Sequence, residues 1–211
     1  DLSWLDLSDP VALTADGRTL LFMEESGSVG VNYAVCLRQT DGSPVVRLGE
    51  VAANDLSRDG KWALAAVPTT PPQLVMYPTG AGEARKLERG GLLSYESAQF
   101  FPDGKRVLAC GPEAGKGVRC YVQEIAGGTP RPVTPEGTSQ GFVSPDGRLI
   151  LVKVSGGALV LHPVEGGEPR PVAGATPEDS AIRWSADGRS VLLFRSGEVP
   201  ARVERLEVAT G

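Results

Sequence analysis

The sequence predicts an all-β protein, a β-propeller of five four-stranded blades. A short motif of Ser or Thr, any residue, Asp-Gly and a basic residue occurs five times, with Phe in place of the hydroxyl residue in the third copy. Successive motif aspartates are 43, 44, 43 and 41 residues apart, which is the length of one four-stranded propeller blade. The five turn pairs are Asp16-Gly17, Asp59-Gly60, Asp103-Gly104, Asp146-Gly147 and Asp187-Gly188.

Each repeat unit supplies four predicted strands. Asp-Gly between two apolar stretches predicts a hairpin, because Gly adopts positive φ values and Asp can bond its own backbone. An apolar strand follows each turn, at 19–22, 62–65, 106–109, 149–152 and 190–194. Third strands are predicted at 33–38, 73–77, 119–125, 158–163 and 201–208, and short fourth strands at 45–48, 84–87, 131–134 and 170–172. The 27 Gly and 17 Pro residues agree with many short strands and turns.

The repeats fill residues 1–211 and form one predicted domain. The fifth unit has no fourth strand of its own, and residues 2–5 lie in the fourth-strand register. Leu5 precedes Asp16 by 11 residues, as Leu48 precedes Asp59. We therefore expect the N-terminal strand to complete the last blade and close the ring, which removes open sheet edges and leaves a monomer. The alternative is a five-blade fragment of a larger propeller.

Charge and composition exclude several classes of function. The formal net charge of −5 argues against nucleic acid as a partner, because phosphate binding needs clustered Lys and Arg. No apolar run approaches ~20 residues, so we expect no direct insertion into a membrane. The sequence has no Cys-x-x-Cys pair, and we expect neither a metal nor a cofactor.

No set of catalytic residues is predicted, and we expect a protein without enzymatic activity. Gly-x-Ser-x-Gly occurs around Ser139, but a hydrolase nucleophile stands between a strand and a helix, and no helix is predicted there. The single histidine, His162, lies on a predicted third strand. A metal-dependent enzyme inside the propeller would need inward acids, amides or histidines, and one histidine with few inner acids argues against it.

Two of the three cysteines, Cys110 and Cys120, flank a Gly-rich loop at 111–117. On a hairpin they could face each other, so a cross-strand disulfide is conceivable. We favour the interpretation that they are two buried, reduced cysteines that pack as small apolar residues.

The mouth of the central channel is the candidate binding region, because a rigid scaffold positions polar groups and loops there. The strand before each Asp-Gly turn is the innermost strand of its blade. We expect a protein or peptide partner, or a small ligand, to be contacted by polar residues of these strands. The candidates are Asn54, Asp55, Ser97, Gln99, Asp179 and Arg183.

The repeat, which reads Ser-Pro-Asp-Gly-Arg at 144–148, resembles that of the TolB-like, WD-repeat-like β-propeller superfamily. The segments 1–6, 183–189 and 197–203 are similar to the C-terminal propeller regions of bacterial serine/threonine protein kinases and winged-helix regulators. The resemblance implies a sensor or scaffold module of a bacterial signalling protein. In such kinases the propeller commonly follows a transmembrane segment, which implies a location outside the cytoplasm. The alternative is a propeller that gates a separate hydrolase domain, as in prolyl-oligopeptidase-type peptidases.

Overall fold

A computed structural model describes residues 2–5, 7–25, 33–195, 197 and 199–209. These residues form nineteen strands in five antiparallel sheets and no helix. The all-β propeller architecture with five blades is confirmed. Blades one and two consist of β1 Ser8–Leu13, β2 Thr19–Glu24, β3 Ala34–Gln39 and β4 Val46–Gly49, and of β5 Ala52–Leu56, β6 Trp62–Val67, β7 Gln73–Pro78 and β8 Arg85–Lys86. Blades three and four consist of β9 Ser97–Phe100, β10 Arg106–Gly111, β11 Arg119–Glu124 and β12 Arg131–Pro132, and of β13 Gly141–Val143, β14 Leu149–Lys153, β15 Leu159–Pro163 and β16 Arg170–Pro171. Blade five consists of β17 Asp179–Trp184, β18 Ser190–Arg195 and β19 Val203–Glu207.

The Asp-Gly turns join the first and second strands of every blade, as predicted. The five motif glycines have φ between 66° and 72°, a region that favours glycine. In blade four the Asp146 carboxylate accepts from Ser144 Oγ at 2.6 Å and from the Arg148 N–H at 3.1 Å. Ser144 Oγ in turn accepts from the Leu149 N–H at 2.9 Å. The same bonds recur in blades one, two and five.

Blade three keeps this turn without the hydroxyl group. Phe101 replaces the Ser or Thr of the other turns and is buried. The Asp103 carboxylate accepts instead from the backbone N–H of Arg106 at 3.2 Å and from its Nε at 2.7 Å. The guanidinium also lies over the Phe101 ring, 4.5 Å from its centroid. Arg106 therefore substitutes for the missing side-chain donor.

Apolar residues on facing sheets form four cores between successive blades. They join blade one to two, two to three, three to four and four to five. A fifth cluster contains Phe22, Ala34 and Cys36 of blade one, packed with Leu5, Leu20 and Val45. Among the described residues, this cluster includes none from blade five. In the described part of the chain, blades five and one therefore meet at a seam without a shared apolar core.

The prediction that residues 2–5 complete the last blade is wrong for the residues that the structure describes. Strand β19 pairs only with β18, and residues 2–5 form no strand. They are held against blade one instead. The buried Glu24 carboxylate accepts from the N–H groups of Leu5 at 3.3 Å and Leu7 at 3.2 Å, and Arg38 donates to the Ser3 carbonyl at 2.8 Å. Leu5 thus packs on blade one as Leu48 packs on blade two, but without pairing to β19.

Strand β19 differs from the third strands of the other blades in the exposure and charge of its side chains. Val203 is 61% exposed, although its structural equivalents in the other blades are between 0% and 2% exposed. Arg205 stands where the other blades have apolar side chains. It bonds to Ser190 Oγ at 2.6 Å and lies 3.7 Å from both the Asp187 and Glu207 carboxylates. The equivalents of Val203 are Val35, Leu74, Cys120 and Leu159.

Cys110 and Cys120 form a disulfide, so the favoured interpretation of two reduced cysteines is wrong. They are directly opposite each other in the β10–β11 register, with Cα atoms 3.9 Å apart. Both are buried in the core between blades three and four. Cys36 is free and buried, and burial raises the pKa of its thiol to about 11.

Candidate functional site

The inner strands of all five blades line one central cavity of about 470 Å³. Three of these strands carry a β-bulge at the same distance before the Asp-Gly turn. The bulged residues, Val11, Asn54 and Ile182, all line the cavity. Bulges change the direction of side chains in this way, so the strands direct both apolar and polar groups towards the axis. The polar residues of the cavity lining are Asn54, Asp55, Glu96, Ser97, Gln99, Gln140 and Arg183.

Asp55 and Gln99 connect neighbouring blades. Each stands four residues before the motif aspartate of its own blade. Asp55 Oδ2 accepts from the Phe100 N–H at 2.8 Å, and Gln99 Oε1 accepts from the Val143 N–H at 2.8 Å. Burial raises the pKa of the Asp55 carboxyl to about 7, although the N–H groups of Phe100 and Leu56 act to lower it. These two candidates therefore satisfy buried backbone donors of the next blade.

Two other candidates also have partners within the chain. Ser97 donates from Oγ to the Ser139 carbonyl at 3.0 Å. Asp179 is buried and outside the cavity lining, where it accepts from the Thr176 N–H at 2.7 Å and from Arg195 Nε at 3.1 Å. Burial acts to raise the pKa of Asp179, but these donors lower it overall. The structure places Asp179 as an anchor for the start of β17.

Asn54 and Arg183 are the candidates with unused bonding capacity. Asn54 Oδ1 is buried and has no hydrogen-bond partner among the described residues. Arg183 is exposed to the cavity, and its guanidinium makes no hydrogen bond or ion pair with any residue that the structure describes. Because a guanidinium offers five N–H donors, Arg183 can bind an incoming polar group directly. A buried acceptor without a donor is costly, and Asn54 Oδ1 can take one from a ligand once its side chain turns towards the cavity.

Glu96 and Gln140 line the cavity although the sequence interpretation omitted them. Each directly precedes an inner strand, β9 or β13, and both are exposed. Their position just before a predicted inner strand was the available signal. They mark the end of the cavity at which the inner strands begin.

The Asp-Gly turns gather at the opposite end of the axis. A Cβ on Gly60 would lie 3.2 Å from Thr14 Cγ2 of the neighbouring turn. Arg58 donates from the blade-two turn to the Pro145 carbonyl of the blade-four turn at 3.4 Å. It also borders the turns of blades three and five. Its side chain therefore reaches across the axis at this end, whereas the exposed Glu96 and Gln140 lie at the other end of the cavity.

No group of three or more His, Cys, Asp and Glu side chains converges in the described part of the chain. Ser139 is exposed in the loop before β13, which a strand follows. His162 is buried on β15, its Nε2 has no partner among the described residues, and burial lowers its pKa.

None of the described residues belongs to a helix that is long and apolar enough to cross a membrane.

Comparison with known proteins identifies a fold. No family model and no curated protein matches the chain. Among solved structures, TolB from Acinetobacter baumannii superposes with a TM-score of 0.77 at 18% identity, over 92% of this chain and 51% of that one. A TolB structure from Agrobacterium tumefaciens gives 0.65 at 19% identity, over 79% and 62%. The acylaminoacyl peptidase of Pyrococcus horikoshii gives 0.64 at 15% identity, over 95% and 38%.

These similarities concern architecture, because all three sequence identities are below 20%. The chain spans about half the length of the Acinetobacter TolB. The repeat, the blade topology and the superposition agree. The chain has a TolB-like β-propeller fold.

Proposed function

We propose that this chain is a non-enzymatic binding module that takes up a peptide, a protein segment or a small ligand at the open end of its central cavity. The observation that carries the proposal is the pair of unsatisfied side chains, Asn54 and Arg183, on a cavity wall assembled from all five blades. The volume of the cavity, about 470 Å³, lies within the range of small-molecule pockets. The rigid sheets around the cavity position its polar groups before binding.

The sensor or scaffold role in a bacterial signalling protein extends this proposal. The resemblance to kinase and winged-helix regulator propellers supports such a role, with occupancy of the cavity passed to an attached domain. The buried Cys110–Cys120 disulfide supports an oxidising compartment, as expected for a module outside the cytoplasm. Expression of the chain in two matched forms, one exported and one cytosolic, tests this point: the exported form should lack free thiols at these two cysteines, and the cytosolic form should retain them.

The alternative function is the gating of a separate hydrolase domain. Its support is the similarity to the peptidase propeller. Passage of a substrate along the axis would require both ends of the cavity to be open, and Arg58 lies across one of them. This contact favours a binding module over a passage.

A titration tests the proposal. An isotopically labelled chain is mixed with tetrapeptides randomised at every position, and the side-chain amide signals of Asn54 and Gln140 are followed by NMR. We expect saturable shifts of both signals and no comparable shift of Gln39, an amide at the end of β3 that bonds Thr19. Shifts confined to surface residues outside the cavity would contradict the proposal.

A further inference from the structure

We infer that the cavity binds the C-terminal carboxylate of a peptide end-on, with Arg183 as its cationic ligand. The inference rests on the proposed binding function and specifies its ligand class. Four features support it: the position of Arg183, the unsatisfied acceptor of Asn54, the obstruction of one end of the cavity, and the charge at the other end.

Arg183 stands at the position that connects blades elsewhere in the ring. Asp55 and Gln99, also four residues before their motif aspartates, accept from a backbone N–H of the following blade. Arg183 carries donors instead of an acceptor, and blade five shares no apolar core with blade one among the described residues. Its guanidinium therefore faces the cavity without a partner in the described chain. A planar guanidinium fits a carboxylate with two parallel hydrogen bonds.

The unpartnered acceptor of Asn54 favours a peptide C-terminus over a simple carboxylic acid as the ligand. Asn54 Oδ1 requires an N–H or O–H donor, and none of the described residues supplies one. The bulge in β5 directs this side chain into the same cavity as Arg183. A peptide ending in a free carboxylate offers both groups, since its last amide N–H lies close to the carboxylate. Acetate offers only the carboxylate.

The obstructed axis explains why the ligand enters end-on. Arg58 donates across the turn end of the axis, from blade two to blade four, so an extended chain would have to displace this side chain to pass through. Glu96 lies at the open end, where its carboxylate repels a second anionic group and attracts a basic residue upstream in the ligand. We therefore expect preference for a single carboxylate preceded by neutral or basic residues.

The test uses N-acetyl-glycylglycine, the same compound with a C-terminal amide, and acetate. The Arg183 Nε–H and Asn54 side-chain amide signals of the full chain are followed by NMR during each titration. We expect the acid to bind at least tenfold more tightly than the amide. Tighter binding of the acid than of acetate identifies a peptide terminus, whereas equal binding of the two identifies a small carboxylate as ligand and overturns the peptide assignment.

Variants of Arg183 distinguish a loss of its charge from a loss of the fold. Arg183→Gln should weaken binding of the acid at least tenfold, and Arg183→Lys should weaken it less, because the charge remains without the planar fork. Arg148→Gln is the matched control, since Arg148 is an exposed arginine outside the cavity lining, and it should bind as the wild type does. Thermal unfolding midpoints verify that each variant folds.

Two negative results would lead to different conclusions about the carboxylate assignment and the proposed binding function. Equal binding of acid and amide at the cavity signals, or full binding by Arg183→Gln, would overturn the carboxylate assignment and leave the binding function intact. If neither these probes nor the randomised tetrapeptides perturb the cavity signals, both the carboxylate assignment and the proposed binding function fail.

Discussion

Replacement of Asp55 by asparagine should stabilise the propeller at neutral pH and leave its stability unchanged in acid. The pKa of this carboxyl is about 7 in the folded chain and 3.8 without its surroundings. Between these values the folded state keeps a proton that the unfolded state has lost. The free energy of unfolding therefore falls as the pH rises from about 4 to about 7 and is constant above that. Each pH unit is worth about 1.4 kcal/mol, which gives about 4 kcal/mol in total.

The asparagine variant isolates the free-energy cost of ionising Asp55 in the folded chain, because the Oδ1 of asparagine can still accept from the Phe100 N–H. Urea unfolding of the wild type and Asp55→Asn, at pH values from about 4 to 8, measures the difference. We expect the two curves to meet near pH 4 and to separate by as much as about 4 kcal/mol at pH 8.

Asp146→Asn is the control of opposite sign. The Ser144 hydroxyl holds the pKa of the Asp146 carboxyl below its ordinary value. This carboxylate therefore stabilises the fold above its unfolded pKa, and the contribution is lost as the pH falls through the folded pKa. Asp146→Asn should destabilise the chain at neutral pH. A wild type whose stability does not decline relative to Asp55→Asn between about pH 4 and 7 would refute the account of Asp55.

Three further substitutions test the fold. Ser144→Ala should cost about 2 kcal/mol, because it removes a hydroxyl that bonds both the turn carboxylate and a strand N–H. Joint replacement of Cys110 and Cys120 by Ala should cost about 3 kcal/mol, the value for a loop of about ten residues. Gly141→Ala should cost about 1–3 kcal/mol by overpacking, because its Cβ would lie 2.9 Å from Leu108 Cδ2. Denaturant midpoints measure all three.

Each of these substitutions has a control. Ser155→Ala, at an exposed loop position, should change stability by less than about 0.5 kcal/mol. Gly80→Ala, where a Cβ meets nothing within 4 Å, should be tolerated. For the disulfide, reduction of the wild type should lower its stability by removing the same cross-link, and the double variant should lose somewhat more because it also removes two buried sulfur atoms from the core. A wild-type denaturant midpoint that does not change with reductant would contradict the role of the disulfide. A Ser144→Ala or Gly141→Ala variant as stable as its control would contradict the explanation given for that residue.

The sequence was sufficient for the blades because their turns are local structures. In blade four the bonds of the turn all lie within residues 144–149, so the turn can be recognised without knowledge of distant contacts. The four inter-blade cores follow from the alternation of apolar residues in the flanking strands. The wrong prediction that residues 2–5 complete the last blade also has a physical cause. Leu5 lies 11 residues before Asp16, as Leu48 lies before Asp59, but this spacing does not reveal that Glu24 and Arg38 hold the segment on blade one.

The cavity could be predicted only in part. The assignment of inner strands placed Asn54, Asp55, Ser97, Gln99 and Arg183 on one cavity wall, but not their separate roles. Those roles depend on which backbone N–H of the next blade faces each side chain, and on bulges that one sequence does not specify. The contact of Arg58 across the axis depends on the closeness of turns from blades that are distant in sequence. The Cys110–Cys120 disulfide depends on the register of β10 against β11, which the sequence of the Gly-rich loop does not determine.

A crystal structure of the chain with N-acetyl-glycylglycine is the most direct test of the central claim, that the cavity between the inner strands is the binding site. The account predicts the carboxylate on the Arg183 guanidinium and the last amide N–H on Asn54 Oδ1. A peptide found instead along the open edge of β19, or in the pocket of about 630 Å³ between the turns of blades four and five, would contradict it.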